Sequence, residues 1–401
     1  MGQFLFGGSC HTGGGRYPGL IFILIFLMFC GILETYMEAK KKPTSVKTTA
    51  KRGKKIFVGM SGGVDSSVAA LLLVEAGYDV VGVFMQNWSS DFGGCCNLER
   101  DVADARSVAN QLGIPFYVWN FEREYRDKVL DYFYSEYEAG RTPNPDVMCN
   151  REIKFKLFLD RALKLGADYI ATGHYAQVTN KDGIYHLLKG VDPAKDQSYF
   201  LCLLGQKELS HALFPLGAMT KTEVRAIAKE HKLLNATKKD SQGLCFVGQV
   251  DIREFLKERL KPKIGKIINV DGKILGEHEG VAFYTLGQRK EIGNLPGGPY
   301  YVVDKKLASN ELVVSSNPSE PLLWKKECLI DNLGWVNQEI KLPNNYEVII
   351  RYHHKPVDAH LTKVGDDKIK VVFAEAQRAV TPGQLAVICV GEELLGAGVI
   401  L

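Results

Sequence analysis

The sequence predicts an α/β protein in which a doubly wound parallel sheet is followed by two smaller β-rich domains. Two observations support this fold class. From residue 54 to about residue 253, short apolar strands alternate with amphipathic helices, which is the pattern of βαβ crossovers and a parallel sheet. From about residue 262 onward, short β-like runs separated by Gly, Asp and Pro replace the helices, as in a small all-β domain or barrel.

The elements can be predicted in chain order from these patterns. Parallel strands are predicted over residues 55–60, 80–85, 116–119 and 168–172, and helices over 66–76, 99–113, 122–139 and 152–165. Alternation of apolar and polar residues predicts later strands over 346–352, 359–364, 369–373 and 385–390. The resulting domains are an N-terminal extension (1–53), a parallel-sheet domain (54–260), a middle domain (261–320) and a C-terminal barrel-like domain (321–401).

The charge of the 401-residue chain is concentrated at its N-terminus. The net charge is +4, from 50 basic and 46 acidic residues, but residues 1–55 alone carry +7 and the remainder carries −3. The body of the protein therefore has no general attraction for nucleic acid, and a polyanion would have to bind a local basic patch. Candidates for such a patch are Lys195, Arg289, Lys290, Arg351 and Lys355.

The N-terminal extension contains an uncharged apolar run over residues 20–33 and a Lys-rich stretch over 38–55. The run has 14 residues, whereas a membrane-spanning helix needs about 20. A short anchor, a signal-peptide core and an over-extended reading frame all fit this pattern. We favour the last, with translation starting at Met28 or Met37, and expect a cytoplasmic protein with no membrane partner.

The nine cysteines form no Cys-x-x-Cys pair, so neither a disulfide framework nor a zinc ribbon is expected. Cys149 and Cys245 have polar, turn-prone neighbours, which predicts exposed thiols of lowered pKa. Apolar neighbours predict that Cys30, Cys202, Cys328 and Cys389 pack in cores, and Cys95 and Cys96 are undecided.

The segment Ser61-Gly-Gly-Val-Asp-Ser-Ser67 lies between a predicted strand and a predicted helix. Its glycines let the backbone approach a phosphate, and the N–H groups at the helix start point towards it. No Gly-Lys-Ser/Thr follows, so this is not a Walker A loop. Asp65 would repel a phosphate unless a cation lies between them, which predicts Mg²⁺.

This segment resembles the PP-loop of ATP pyrophosphatases, and other motifs narrow the resemblance. GMSGGVDSS, FMQNW, GRTPNPDVMCN, ATGHYA, KDQSYFL, KKDSQGLCF, TLGQRK and TPGQ occur in the order typical of the tRNA-specific 2-thiouridylase family, over essentially residues 54–401. Members of that family replace the C2 oxygen of the wobble uridine of certain tRNAs by sulfur. The resemblance implies an enzyme that uses ATP, releases AMP and pyrophosphate, and takes sulfur from a cysteine persulfide.

The resemblance also implies roles for single residues. Cys149 matches the nucleophile, Cys245 the persulfide-bearing cysteine and Asp146 the acid/base residue. The positions that match ATP contacts are Gly59, Met60, Ser61, Gly62, Gly63, Val64, Asp65, Ser66, Met85 and Gly173. The positions that match tRNA contacts are Asn144, Pro145, Asp146, His174, Lys195, Asp196, Gln197, Arg351, Tyr352 and Gln384.

Simpler interpretations of these residues stay open. Asp146 fits a helix cap or turn after Pro145, His174 fits a hydrogen-bonded strand-end histidine, and residues 195–197 fit a solvated loop. Two other functions also stay open: an amidating ligase of the PP-loop superfamily, and a redox-sensing RNA-binding protein with a Cys149–Cys245 switch. For the first hypothesis we expect tRNA and a sulfur-donor protein as partners, a monomer, and no iron–sulfur cluster.

Overall fold

The computed structural model describes residues 53–88, 98–240, 252–293 and 295–401. Its parallel-sheet region begins with β1 (Lys55–Gly59), α1 (Val64–Glu75), β2 (Asp79–Gln86), α2 (Leu98–Leu112), β3 (Phe116–Asn120), α3 (Glu122–Tyr125, Arg126–Leu130, Asp131–Glu138), α4 (Pro145–Cys149, Asn150–Phe158, Leu159–Lys164) and β4 (Tyr169–Ala171). It continues with β5 (Ala176–Lys181), β6 (Ile184–Lys189), α5 (Gln206–Leu209), β7 (Ala212–Leu213), α6 (Lys221–Glu230) and α7 (Ile252–Lys257).

The first sheet has the strand order β3-β2-β1-β4-β7, and every pairing in it is parallel. The order reverses between β1 and β4, which is where doubly wound sheets bind ligands, beyond the carboxyl ends of the strands. The predicted fold class is confirmed. Helix α1 begins two residues earlier than predicted, and α4 begins at Pro145 instead of residue 152, because Asn144 caps it.

The β-rich part comprises β8 (Gly265–Asn269), β9 (Ile274–His278), β10 (Tyr301–Lys306), β11 (Glu311–Ser315), β12 (Trp324–Trp335), β13 (Asn344–Ile349), β14 (Val357–Val364), β15 (Lys368–Arg378), β16 (Leu385–Val390) and β17 (Glu393–Ile400). Strands β8–β11 form one small sheet in the order β10-β11-β8-β9. Strands β12–β17 form a six-stranded antiparallel barrel, closed by the pairing of β12 with β17. The sequence did not predict β12 or β17.

The hairpin β5–β6, also absent from the prediction, joins the barrel to the parallel-sheet region. β6 pairs with β17 through Leu187 and Leu394, so this hairpin extends the barrel sheet. The two residues and the α4 side chain Phe158 belong to one buried cluster. The boundaries at 260/261 and 320/321 remain predictions, but the core itself is continuous across them.

No helix in the described parts of the chain is long and apolar enough to cross a membrane. The predicted apolar run over residues 20–33 lies outside the described residues, as does the rest of the extension up to residue 52.

Candidate active site

The PP-loop lies where the sequence predicted it, between β1 and α1. Gly62 has a φ of +75°, and a Cβ there would lie 2.4 Å from the carbonyl oxygen of Asp101, so only glycine fits. The Ser66 hydroxyl donates to the Gly63 carbonyl over 3.2 Å and accepts from the Ser61 N–H over 3.1 Å. Ser66 therefore stabilises the turn that leaves the N–H groups at the start of α1 open to an anion.

The positions predicted to contact ATP come together at the carboxyl ends of β1, β2 and β4. A Cβ on Gly59 would lie 2.9 Å from the Met85 methyl carbon, and a Cβ on Gly173 would lie 2.7 Å from the Ser66 nitrogen. These glycines permit the close approach of three strand ends. Met60 and Val64 are buried in the core, so they can offer a nucleotide only their backbone.

Lys221 supplies a cation beside Asp65 that the sequence analysis missed. Its Nζ donates to both Asp65 carboxylate oxygens, over 2.7 and 2.8 Å, and lies 2.8 Å from Asp240 Oδ1. Asp65 also accepts a hydrogen bond from the Tyr175 hydroxyl over 2.9 Å. The Lys221 side chain is only 12% exposed, so its ammonium neutralises carboxylates in a largely enclosed place.

Asp240 extends this network towards the predicted tRNA-contact loop. Besides Lys221, it contacts Lys195 Nζ at 2.9 Å and Arg225 Nη2 at 2.5 Å. Burial raises the pKa of Asp240, but the hydrogen bonds from Lys221 and Lys195 outweigh it and hold that pKa well below its ordinary value. Asp240 is thus a permanent anion that ties residue 195 to the PP-loop.

Asp196 and Gln197 use their side chains to build the predicted tRNA-contact loop. The Asp196 carboxylate accepts from the N–H of Gly190 over 2.8 Å and from the hydroxyl of Ser198 over 2.9 Å. Gln197 Oε1 accepts from the Tyr175 N–H over 3.1 Å. In this structure both side chains therefore serve the loop itself, and their predicted contact with tRNA stays a prediction.

The prediction that the Cys149 thiol is exposed is wrong. Cys149 is 1% exposed and belongs to the core cluster that contains Val147. The cause is the early start of α4: the Asn144 side chain accepts the Val147 N–H over 3.2 Å, so residues 145–149 form a helical turn that directs Cys149 inward. Asp146 lies in the first turn, and the cap is Asn144, not Asp146.

The loop over residues 140–144 is held by the middle and C-terminal domains together. Gln384 Nε2 donates to the carbonyls of Thr142 over 2.8 Å and Pro143 over 3.2 Å, and the Thr142 N–H donates to the Pro382 carbonyl over 2.8 Å. From the other side, the Thr142 hydroxyl lies 3.1 Å from that of Thr285. The loop that leads to Cys149 is therefore fixed by groups far away in sequence.

His174 connects the PP-loop with α4. It follows Gly173, which lies against Ser66, and its ring packs 6.0 Å from that of Phe155 on α4. Its Nδ1 lies 2.7 Å from the Thr172 hydroxyl. Burial and the charge of Lys154 lower the pKa of His174 well below its ordinary value, so the imidazole is neutral at physiological pH.

Arg351 and Tyr352 follow β13 and lie near the same site. The Tyr352 ring is 4.3 Å from that of Phe200. Burial raises the pKa of Tyr352 to about 12, and the negative charges of Asp196 and Asp146 add to the effect. Arg351 donates to the carbonyl of Arg378 over 3.3 Å.

Cys245 lies outside the described residues, as do Cys30, Cys95 and Cys96. Of the other cysteines, Cys202 and Cys389 are buried, as predicted, and Cys328 is half-buried. Within residues 53–88, 98–240, 252–293 and 295–401, no group of three His, Cys, Asp or Glu side chains is arranged to hold a metal ion.

Three family models match the chain in succession. They are described as a tRNA methyl transferase HUP domain (residues 54–249), a tRNA methyl transferase PRC-barrel domain (253–316) and an aminomethyltransferase beta-barrel domain (325–400). The tRNA-specific 2-thiouridylase of Alkaliphilus oremlandii is 50% identical over 357 residues, which cover 88% of this chain and 98% of that protein. The tRNA-specific 2-thiouridylase of Bacillus subtilis is 47% identical over 350 residues, which cover 86% of this chain and 94% of that one. The chain belongs to the tRNA-specific 2-thiouridylase family.

Proposed function

We propose that this protein is a tRNA sulfurtransferase that replaces the C2 oxygen of the wobble uridine by sulfur, using ATP. The observation that carries the proposal is that one short segment joins the nucleotide loop to the thiol-bearing helix. Gly173 lies against Ser66 of the PP-loop, and the next residue, His174, packs against Phe155 on the helix of Cys149. A base bound at the start of that helix is thereby also held near the nucleotide. Because Cys149 is 1% exposed, its thiol must become accessible for the reaction.

The proposed chemistry begins with activation of a poor leaving group. The uridine C2 oxygen attacks the α-phosphorus of ATP, pyrophosphate leaves, and the oxygen becomes part of an adenylate. The terminal sulfur of a persulfide on Cys245 then attacks C2, and AMP leaves with the oxygen. Finally the Cys149 thiolate attacks the inner sulfur of Cys245, which breaks the S–S bond, leaves the transferred sulfur on C2 and forms a Cys149–Cys245 disulfide. A thiol reductant must reopen that disulfide before the next cycle.

Asp146 and its neighbours have supporting roles in this proposal. Asp146 lies one turn before Cys149 on the same helix, and we infer that its carboxylate takes the proton that the thiol loses. Asn144 and Pro145 precede it and present the base to the thiol. Lys195, Asp196, Gln197, Arg351 and Tyr352 hold the tRNA around this point, together with His174, and Gln384 holds the loop that leads to Cys149.

Mg²⁺ fits one part of the nucleotide site. Asp65 offers carboxylate oxygens next to the phosphate loop, and Mg²⁺ commonly binds one or two carboxylates together with substrate phosphates and water. Bound there, the ion would neutralise charge on the phosphates of ATP. Lys221 already neutralises Asp65 in this structure, so residue 221 would share that role.

The partners and setting belong to the same proposal. The persulfide sulfur comes from a cysteine desulfurase or a sulfur-relay protein, the enzyme acts as a monomer in the cytoplasm, and it needs no iron–sulfur cluster. Neither the amidating ligase nor the redox sensor is supported by the relatives, which are named as 2-thiouridylases.

The test compares Cys149→Ser with Cys202→Ser in the full chain. Both residues are buried, so each variant places a hydroxyl in the core, at a cost of about 1–3 kcal/mol in the free energy of unfolding. We expect only Cys149→Ser to lose sulfur transfer to tRNA, measured as 2-thiouridine by nucleoside analysis with ATP and a persulfide donor. Normal 2-thiouridine formation by a folded Cys149→Ser variant would contradict the proposal.

A further inference from the structure

Arg351 and Arg378 are two half-buried arginines in contact with each other. Arg351 Nη1 donates to the backbone carbonyl of Arg378 over 3.3 Å. Arg378 ends β15, and its guanidinium carbon lies 5.4 Å from the centre of the Tyr301 ring. A Cβ on Gly287 would lie 3.4 Å from Arg378 Nη1, so the absence of a side chain at residue 287 leaves room for this guanidinium.

In the part of the chain that the structure describes, no carboxylate lies within 4.0 Å of either guanidinium group. Two other partly buried arginines are neutralised, since Arg141 binds Glu136 and Arg225 binds Asp240. Burial and the positive charge of Arg378 both lower the pKa of Arg351. Two like charges in a half-buried place, without a counter-ion, are costly, so an anion that both groups bind would stabilise this arrangement.

The pair lies near the proposed base pocket, the place beside α4 where the target uridine would bind. Arg351 precedes Tyr352, whose ring lies 4.3 Å from that of Phe200. The Phe200 carbonyl accepts a hydrogen bond over 3.2 Å from the side chain of Asn150, the residue after Cys149. Arg378 lies six residues before Gln384, whose side chain donates hydrogen bonds to the carbonyls of Thr142 and Pro143. These two residues come just before the helix that carries Cys149. An anion bound between the two arginines would therefore lie next to a base that enters the pocket.

We propose that Arg378, together with Arg351, binds a backbone phosphate of the RNA adjoining the target uridine. This inference rests on the proposed function, and its new elements are Arg378 and the chemistry of the contact. A planar guanidinium suits a phosphate because it donates two parallel hydrogen bonds. The contact fixes the RNA strand next to the base that must leave its stack. The ring of Tyr301 holds the Arg378 guanidinium in place through a cation–π contact.

The test measures the affinity of the full chain for an unmodified tRNA with a wobble uridine at several salt concentrations. Arg378→Gln should weaken binding about tenfold or more, as expected for the loss of a charged hydrogen bond. It should also reduce the log–log salt slope by about 0.7–0.9, because one phosphate contact is lost. The matched control is Lys368→Gln, which removes one exposed charge at the opposite end of the same strand, β15.

Each outcome separates the inference from the proposed function. Failure of both the wild type and Lys368→Gln to bind tRNA would overturn tRNA binding itself. If the wild type and Lys368→Gln bind tRNA, and Arg378→Gln binds with the same affinity and salt slope, only the role of Arg378 is overturned. A variant that has a lower melting temperature but keeps the wild-type salt slope would show that Arg378 merely supports Tyr301. Arg378→Lys, which keeps the charge, should retain most of the slope and only part of the affinity.

Discussion

Replacing Gln384 by alanine should slow sulfur transfer without weakening tRNA binding. The Gln384 amide donates to the carbonyls of Thr142 and Pro143 over 2.8 and 3.2 Å. Each such hydrogen bond contributes about 0.5–1.5 kcal/mol net, so the variant should lose roughly 1–3 kcal/mol in the free energy of unfolding. The Thr142 N–H still binds the Pro382 carbonyl, so the loop should loosen but stay in place.

The larger effect is expected on the rate. The loop leads directly into the helix of Cys149, and a shift of about 1 Å in reacting groups costs roughly a hundredfold in rate. We therefore expect the rate of 2-thiouridine formation at saturating tRNA to fall about ten- to a hundredfold. The dissociation constant for tRNA should change less than twofold. Gln384→Glu should behave in the same way, since a carboxylate has no N–H to donate to these carbonyls.

The matched control for this prediction is Gln111→Ala. Gln111 also donates to two carbonyls, those of His231 and Lys232, over 3.3 and 3.0 Å, but it lies on α2 and does not touch the loop. It should lose stability with an unchanged rate. If Gln384→Ala instead binds tRNA much more weakly and keeps its rate at saturation, the residue contacts tRNA, as the sequence resemblance implies, and the positioning argument is refuted.

Two further predictions concern buried or enclosed lysines. Lys221→Met leaves the carboxylates of Asp65 and Asp240 facing each other without the ammonium between them, so tRNA-dependent pyrophosphate release should fall more than tenfold. The control Lys229→Met, on the same helix, should not change that release. Unchanged release by Lys221→Met would show that this ammonium has no part in ATP activation. Burial lowers the pKa of Lys305 to about 8, so the charged lysine costs the folded state up to about 3 kcal/mol below pH 8. The free energy of unfolding should then rise between pH 8 and pH 10.5, because the unfolded chain keeps a proton that the folded chain has lost. Lys305→Met should abolish this rise and be more stable than the wild type at pH 7. Denaturant titrations at each pH measure both effects.

The PP-loop could be predicted because all its determinants are local. A strand, two glycines and a run of hydroxyl and carboxylate side chains specify a tight turn into a helix, and the hydrogen bonds of Ser66 stay within six residues. The burial of Cys149 depends on a less obvious local effect. Its polar neighbours suggested a loop, but the cap at Asn144 moves the start of α4 forward and turns residue 149 towards the core.

The hairpin β5–β6 had a signal that the sequence analysis did not use. Asp182 and Gly183 form its two-residue turn, with φ values of +52° and +86°, and Asp-Gly between apolar, alternating runs is a strong hairpin pattern. What no local pattern contains is the pairing of β6 with β17, because Leu187 and Leu394 are some two hundred residues apart in the chain. Such contacts are decided by tertiary packing.

Lys221 also had a signal, in the form of a broken local rule. Thr220 and Glu223 form a capping box, so the start of α6 is readable from the sequence. A lysine in the first turn opposes the positive end of the helix dipole. Such a residue needs compensation, and Asp65 and Asp240 provide it. Conflicts between a residue and its local structure are expected at functional sites. A lysine in the first turn of α6 therefore indicates that residue 221 is a candidate site residue.

The continuous core limits how the tRNA-binding role of the C-terminal region can be tested. Removing residues 321–401 would strip β6 of one of its two partner strands, β17, and expose Leu187, which is fully buried. It would also remove Gln384 from the carbonyls of Thr142 and Pro143. A truncated chain that fails to bind tRNA would therefore not distinguish a lost RNA contact from a disordered catalytic loop. Single substitutions at Arg378 and Gln384 separate the two, because the first should change the affinity for tRNA and its salt dependence, whereas the second should change the rate and leave that affinity nearly unchanged.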